Sequence, residues 1–276
     1  MSFLDQISNS FKASGVMTKL IIVNVVVFLV FNLTYHLSGK TISLADYTAT
    51  YSDPMEFLTH LWGVLTYMFT HTELAHIFYN MLMLFFMSQI FVSVIGGQRL
   101  FFVYLFGGIC GALLFFISAM IIPGIGGKLI GASASVMAIG AAIGFYAPNM
   151  PVHLFLFGEV KLKWVVTAVF ILSSVIDLSY NTGGKISHIG GGLFGMIYGL
   201  QLKNRNDIGA WFIGLGKKRS KLKVVHNTRV SDYEYNQGRK EEQKSLDELL
   251  EKIHKSGYDS LSKSEKETLH RLSKKQ

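Results

Sequence analysis

The chain has 276 residues, half of them hydrophobic and only 16% charged, with a formal net charge of +8. That is too few charges for a soluble domain of this length, in which about a quarter of residues are charged. The basic surplus does not call for a nucleic-acid partner, because both signs mix in the last quarter and basic residues flank membrane spans without one.

Charge is unevenly placed along the chain. Only seven of the 18 acidic residues precede residue 204: Asp5, Asp46, Asp53, Glu56, Glu73, Glu159 and Asp177. An apolar body is therefore followed by a charged, water-soluble tail. Cys110 is the sole cysteine, which excludes an intrachain disulfide.

In chain order, Phe3 through Lys12 reads as a short interfacial amphipathic helix. The apolar run after it is long and has no clean small-residue cleavage site, so a signal peptide is not expected. A membrane span takes roughly 20 mostly apolar residues. Six stretches qualify or come close: Leu20–Leu37, Ala75–Ile95, Phe101–Ile122, Ile130–Ala147, Trp164–Ile176 and Ile186–Leu202. The expected fold class is an all-α polytopic membrane protein, a six-helix bundle with a small helical soluble tail. The expected divisions are an N-terminal cytoplasmic or interfacial segment (1–17), the six-span domain (18–203), a linker (204–244) and a C-terminal helical domain (245–276).

Lys12, Lys19, Arg99, Lys161, Lys163, Lys203 and Arg205 fall on one side of an alternating six-span chain, against Lys40, Lys128 and Lys185 on the other. The richer side is cytoplasmic by the positive-inside rule, which puts both termini in the cytoplasm. The Ser38–Tyr67 connector carries Tyr47, Tyr51, Trp62 and Tyr67 and is expected to lie in the outer leaflet. In the tail, Leu246, Leu249, Leu250 and Ile253 recur at helical spacing, as do Leu261, Leu269 and Leu272. Ser256-Gly257 between them reads as a helix stop. So small a hairpin calls for a partner, which the sequence does not identify.

Strongly polar groups inside spans are functional candidates by default. Three clusters stand out: His71, His76 and Asn80 at span two, GASAS (residues 131–135) at span four, and His188 at span six. All three spans enter from the same face, so His76, Ser133 and His188 lie one or two turns below one surface. Ser133, Met137, Gly140 and Gly144 share a helical face, as do His188, Gly191, Gly195 and Gly199. Small residues at this spacing let membrane helices approach closely, and if these two stripes meet, Ser133 faces His188. Ser135 turns away by about 200°, at roughly 100° per residue, and is left as packing.

A serine hydroxyl attacks only when a base within reach takes its proton, and His188 is the candidate base. The unsatisfied N–H groups opening span four, with side-chain donors from His76 and Asn80, suit a developing oxyanion. Asp177 has no evident link to His188, so the pattern is a dyad rather than a triad. The three histidines also suit zinc. However, His71 and His76 do not share a helix face and no carboxylate or cysteine joins them, so no metal is expected.

At these residues the chain resembles the rhomboid intramembrane serine proteases. His71, His76 and Asn80 stand in the HxxxxHxxxN arrangement of their second span. Gly131-Ala132-Ser133-Ala134 matches their GxSx motif, and His188, Gly191 and Gly195 match the HxxGxxxG of their sixth. Trp62 and the TYMFTH segment look like their first-loop region.

The resemblance implies an endopeptidase that cuts single-pass membrane proteins in or beside their spans, with no cofactor, and with membrane lipid around it. Ser133 would be the nucleophile and His188 the base and acid. His76, Asn80 and the Ser133 backbone would hold the oxyanion, and His71 would be structural or line the cavity. A bacterial cytoplasmic membrane is the implied location, since the tail looks like a small domain that follows some bacterial rhomboids.

Three positions depart from the pattern: Ala134 for the glycine after the nucleophile, Gly63 for the arginine after the loop tryptophan, and Met137 for the tyrosine on which the histidine stacks. The alternatives are a catalytically inactive relative that binds membrane helices as a chaperone or sorting factor, and a channel. The channel reading fits poorly with the apolar cytoplasmic halves of the spans.

Overall fold

Val16–Leu37 holds Lys19 as its one lysine among 22 residues and forms helix α1. The computed structural model describes residues 11–154, 158–176, 182–215 and 232–273. The expected interfacial helix falls largely outside the described residues, as does Asp177. Two compact units result, Met1–Lys217 and Lys218–Gln276.

The first unit continues through a connector of short elements: α2 (Leu44–Thr48), β1 (Thr50–Tyr51), α3 (Pro54–Thr59) and α4 (Gly63–Thr66). Then come α5 (Leu74–Val94), α6 (Leu100–Ile121), β2 (Lys128–Leu129), α7 (Ser133–Tyr146), a hairpin of β3 (Pro151–Leu154) and β4 (Gly158–Lys161), and α8 (Leu162–Ile171). A π-helical turn at Leu172–Ile176 extends α8, and α9 (Thr182–Lys203) and α10 (Ala210–Leu215) close the unit. Helices α1, α5 and α6 are long and apolar enough to cross a membrane, and α7 and α8 are shorter and apolar. With α9 they make the six-helix membrane bundle.

Helix α7 is the centre of the bundle. Every residue from Ala134 to Gly144 is buried, as befits a helix that is apolar all round. Helix α9 lies so close to it that a Cβ on Gly191, Gly195 or Gly199 would stand 2.1, 2.1 or 2.3 Å from the carbonyl oxygen of Ala134, Ala138 or Ala142. The opposite side of α9 meets α6, where a Cβ on Gly190 would lie 2.7 Å from the Cys110 carbonyl oxygen. Lipid gives no hydrophobic drive between helices, so close backbone packing of this kind supplies the cohesion.

The two small-residue stripes expected to meet do not. Gly140 and Gly144 of α7 face Met87 of α5 and Val166 of α8. The partner of the α9 glycines is the row Ala134, Ala138 and Ala142, roughly 140° further round α7 at 100° per residue. Alanine exposes nearly as much backbone as glycine, and this is why it serves.

Helix α1 sits at the edge, buried only at Leu20 and Asn24. Asn24 Nδ2 donates to the Tyr104 hydroxyl at 3.2 Å, and that hydroxyl donates to the Met68 carbonyl at 2.7 Å. A hydrogen bond between membrane helices contributes about 0.6–2 kcal/mol, so these bonds add to the packing of Leu20, Met17 and Ile21 in docking α1 on the core.

The connector after α1 is held without an arginine at position 63. A Cβ on Gly63 would lie 2.2 Å from the Ala49 carbonyl oxygen, so α4 rests on the backbone of residues 49–50. Trp62 Nε1 donates to the Tyr47 carbonyl at 2.6 Å, and the Thr66 hydroxyl donates to the Thr48 carbonyl at 2.8 Å. Phe57 stacks on Phe116 of α6 at 3.8 Å between centroids.

Strand β1 pairs antiparallel with β2, with Thr50 opposite Leu129 and Tyr51 opposite Lys128. Lys128 also pairs with Asp46. Burial alone would raise the Asp46 carboxyl, but the Lys128 ammonium and the Ser43 hydroxyl outweigh it and hold it below the ordinary carboxylate range. Two loops far apart in sequence thus form one rim.

On the opposite end, Arg99 Nε donates to Asp207 Oδ2 at 2.8 Å, and the Tyr198 hydroxyl and Gly209 N–H donate to Asp207 Oδ1. Phe212 of α10 then packs on Phe102 and Phe106 of α6. Residues 207–215, expected as linker, belong to this packing.

In the second unit, α11 (Asp232–Ser256) starts ahead of the expected boundary at 245 and ends at Ser256, with Gly257 at φ +78°. Helix α12 (Lys263–Ser273) is opened by a reciprocal cap. The Ser262 N–H donates to Glu265 Oε2 at 2.7 Å, and the Glu265 N–H donates to the Ser262 hydroxyl at 3.3 Å. Leu249, Leu261 and Leu272 are buried.

Candidate active site

The site begins with the way the chain enters α7. The Gly131 N–H donates to the Tyr67 carbonyl at 2.9 Å, and the Ala132 N–H donates to His71 Nε2 at 3.3 Å. These bonds, with the β1–β2 pairing just before them, keep residues 130–132 out of the helix. Helix α7 therefore starts at Ser133 rather than at Ile130 as expected.

Gly131 adopts φ +114°, a conformation that side chains disfavour. A Cβ there would also lie 2.7 Å from both Cε1 and Nε2 of His76. The glycine thus admits the His76 ring against the backbone just before Ser133. His76 in turn meets His71 edge-on, 5.0 Å between ring centroids.

A cavity of about 510 Å³ opens beside this turn, lined by Glu73, His76, Tyr79, Asn80, Met83, Leu129, Ile130, Ser133, Val136, Met137, Ser173, Gly184 and His188. Ser133, His76, Asn80 and His188, from three different helices, thus come to one place. Ser133 is partly exposed there, whereas Ser135 is fully buried. The Ser135 hydroxyl points at α6, 3.8 Å from the Met68 sulfur. His71 is fully buried behind the Ala132 N–H and is not among the cavity-lining residues. Gly191 and Gly195 lie deeper and act on the α9–α7 packing.

The first hydrogen bond within α7 runs from the Val136 N–H to the Ala132 carbonyl at 3.0 Å. The N–H groups of Ser133 to Ser135 precede it, where a helix has no internal acceptors for them. Asn80 Nδ2 donates one proton to the His76 carbonyl at 2.9 Å, leaving the second amide proton of that nitrogen. The arrangement offers a hydroxyl, an imidazole and several N–H donors around one space.

Among the cavity residues that reading the sequence missed, Ser173 is the one that meets His188. His188 Nδ1 lies 3.2 Å from its carbonyl oxygen, and its hydroxyl lies 3.5 Å from the Met137 sulfur and 3.3 Å from the Phe170 carbonyl oxygen. The signal available was the Ser173-Ser174 pair within an otherwise apolar span.

Compared with known families, residues 58–205 match the Rhomboid domain, a range that leaves α1 outside. Residues 231–275 match a family of unknown function (DUF6576). No individual curated protein matches the chain.

Proposed function

Because the chain belongs to the rhomboid family of multi-pass integral membrane proteins, whose members are generally intramembrane proteases, we propose that it is a serine endopeptidase that cuts single-pass membrane proteins within or beside their spans. The observation that carries the reading is the single cavity lined by Ser133, His188, His76 and Asn80.

In this reading Ser133 Oγ bonds to the scissile carbonyl carbon while His188 Nε2 takes its proton. The oxyanion is met by the free N–H groups that open α7, that of Ser133 among them, and by donors from His76 and Asn80. Collapse breaks the C–N bond, and His188 returns the proton to the leaving amine. Water, deprotonated by His188, then hydrolyses the acyl ester and restores the hydroxyl. These steps call on no cofactor.

The lysine and arginine asymmetry supports cytoplasmic termini, and the tail's likeness to a small domain that follows some bacterial rhomboids supports a bacterial cytoplasmic membrane as the setting. The second unit then faces the cytoplasm, where its partner is to be sought.

The test is labelling of the full-length protein by a serine-reactive phosphonate, together with cleavage of a single-pass reporter. Wild type and Ser135→Ala are expected to label and cleave, whereas Ser133→Ala and His188→Ala do neither. Equal labelling of wild type and Ser133→Ala overturns the mechanism. Reporter binding without cleavage by the wild type identifies instead an inactive relative that holds membrane helices.

A further inference from the structure

An imidazole that acts as a base through Nε2 must carry its other proton on Nδ1, and whatever accepts that proton fixes the tautomer and aims the ring. At His188 the acceptor 3.2 Å from Nδ1 is the main-chain carbonyl of Ser173. A carbonyl only accepts, so this contact holds the proton on Nδ1 and makes Nε2 the basic nitrogen. Ser173 sits in the π-turn that extends α8.

The position of that carbonyl is itself fixed from the nucleophile's helix. The Ser173 hydroxyl carries one proton, between the Phe170 carbonyl at 3.3 Å and the Met137 sulfur at 3.5 Å. Met137 lies one turn after Ser133 on α7, and both line the cavity. A path therefore runs from α7 through the Met137 sulfur and the Ser173 hydroxyl to the Ser173 carbonyl, and on to His188.

We propose that Ser173 is the positioning residue of the dyad. Its carbonyl sets the tautomer and direction of His188, and its hydroxyl, through Met137, sets where that carbonyl stands relative to Ser133. The proposal rests on the dyad reading given above. It assigns to main chain and a thioether the orienting role that a carboxylate plays in a triad.

The test uses full-length protein in detergent or lipid, with histidine labelled in nitrogen-15 and the His188 signals assigned by difference from His188→Asn. At a pH where the ring is neutral, wild type is expected to show the Nδ1–H tautomer, and the Nε2–H tautomer overturns the proposal. Ser173→Ala is expected to slow reporter cleavage roughly ten- to a hundredfold, the scale of a misplaced catalytic group. The loss should fall in kcat with KM unchanged, and His188 should show mixed tautomers.

Ser173→Thr, which keeps the hydroxyl, is expected to restore most of the rate. Met137→Leu is expected to act as Ser173→Ala does, and the double variant no worse than either single one. Independent, multiplying effects of the two changes, or an unaltered rate and tautomer in Ser173→Ala, sink the idea. Should Ser173→Ala fail to fold, the wild-type tautomer and Met137→Leu still decide. Should wild type neither label nor cleave, the dyad reading fails, while the tautomer measurement continues to judge the role of Ser173.

Discussion

Gly191 of α9 stands so near Ala134 of α7 that a methyl group on it would lie 2.1 Å from the Ala134 carbonyl oxygen. No rotamer relieves this contact, because both partners are main chain. Gly191→Ala is therefore expected to push α9 off α7, costing about 1–3 kcal/mol, as other overpacked cores do. Cleavage should fall with it, because His188 is one turn away on the same helix. Gly214→Ala, with nothing within 4 Å of its added carbon, is the control. Thermal unfolding in detergent separates the two.

Gly131→Ala meets two obstacles, a φ of +114° and the His76 ring 2.7 Å from the new carbon. Adopting such a backbone costs on the order of 1–3 kcal/mol. Moving His76 also disturbs the oxyanion donors, so kcat is expected to drop by about a hundredfold or more. Reporter cleavage at saturating substrate measures it.

Asn80→Ala removes one proposed oxyanion donor and the brace on the His76 carbonyl. The expected loss is about 10²–10³ in kcat, the range for a single oxyanion-hole side chain. KM should hardly move. A rise in KM with kcat intact would assign Asn80 to substrate binding instead.

Much of this site is legible in the sequence. The polar residues of spans two, four and six had to lie at similar depth, because those spans enter from one face. Helical phase alone separates Ser133 from Ser135. Phase does not say which neighbour a face meets. Gly140 and Gly144 look like the natural counterpart of the α9 glycines, yet the row Ala134, Ala138 and Ala142 takes that place. Both rows are small and repeat at the same period, so only three-dimensional packing distinguishes them. Ser173 was hidden for another reason: its contact to His188 is made by a main-chain carbonyl, which every residue possesses.

Gly63→Arg restores the family's arginine but is expected to damage this protein. The added Cβ would lie 2.2 Å from the Ala49 carbonyl oxygen, where α4 lies directly on residues 49–50. The Trp62–Tyr47 and Thr66–Thr48 bonds should break with it. Limited proteolysis is expected to cut between residues 44 and 66 in the variant and to spare the wild type.

In the tail, the Glu265 carboxyl is drawn down to about 2 by the Lys252 ammonium and by the N–H and hydroxyl of Ser262. An unfolded glutamate titrates near 4.3. The folded value is the lower one, so the stabilisation is complete above about 4.3 and is lost as pH falls toward 2. Hydrogen exchange of residues 258–273, corrected for its intrinsic pH dependence, should quicken through that window in wild type. Glu265→Gln should be flat across it.

The glycines of α9 reach beyond packing. Seven of its 22 residues are glycine, and it is absent from the helices apolar enough to cross a membrane unaided. Facing lipid by itself, it would present little apolar side-chain surface and would set His188 in hydrocarbon at a cost. Packing against α6 and α7, both made before it, offsets that cost. The earlier helices are thus expected to act as the receptor for the last span, bringing the histidine to the serine as the bundle closes.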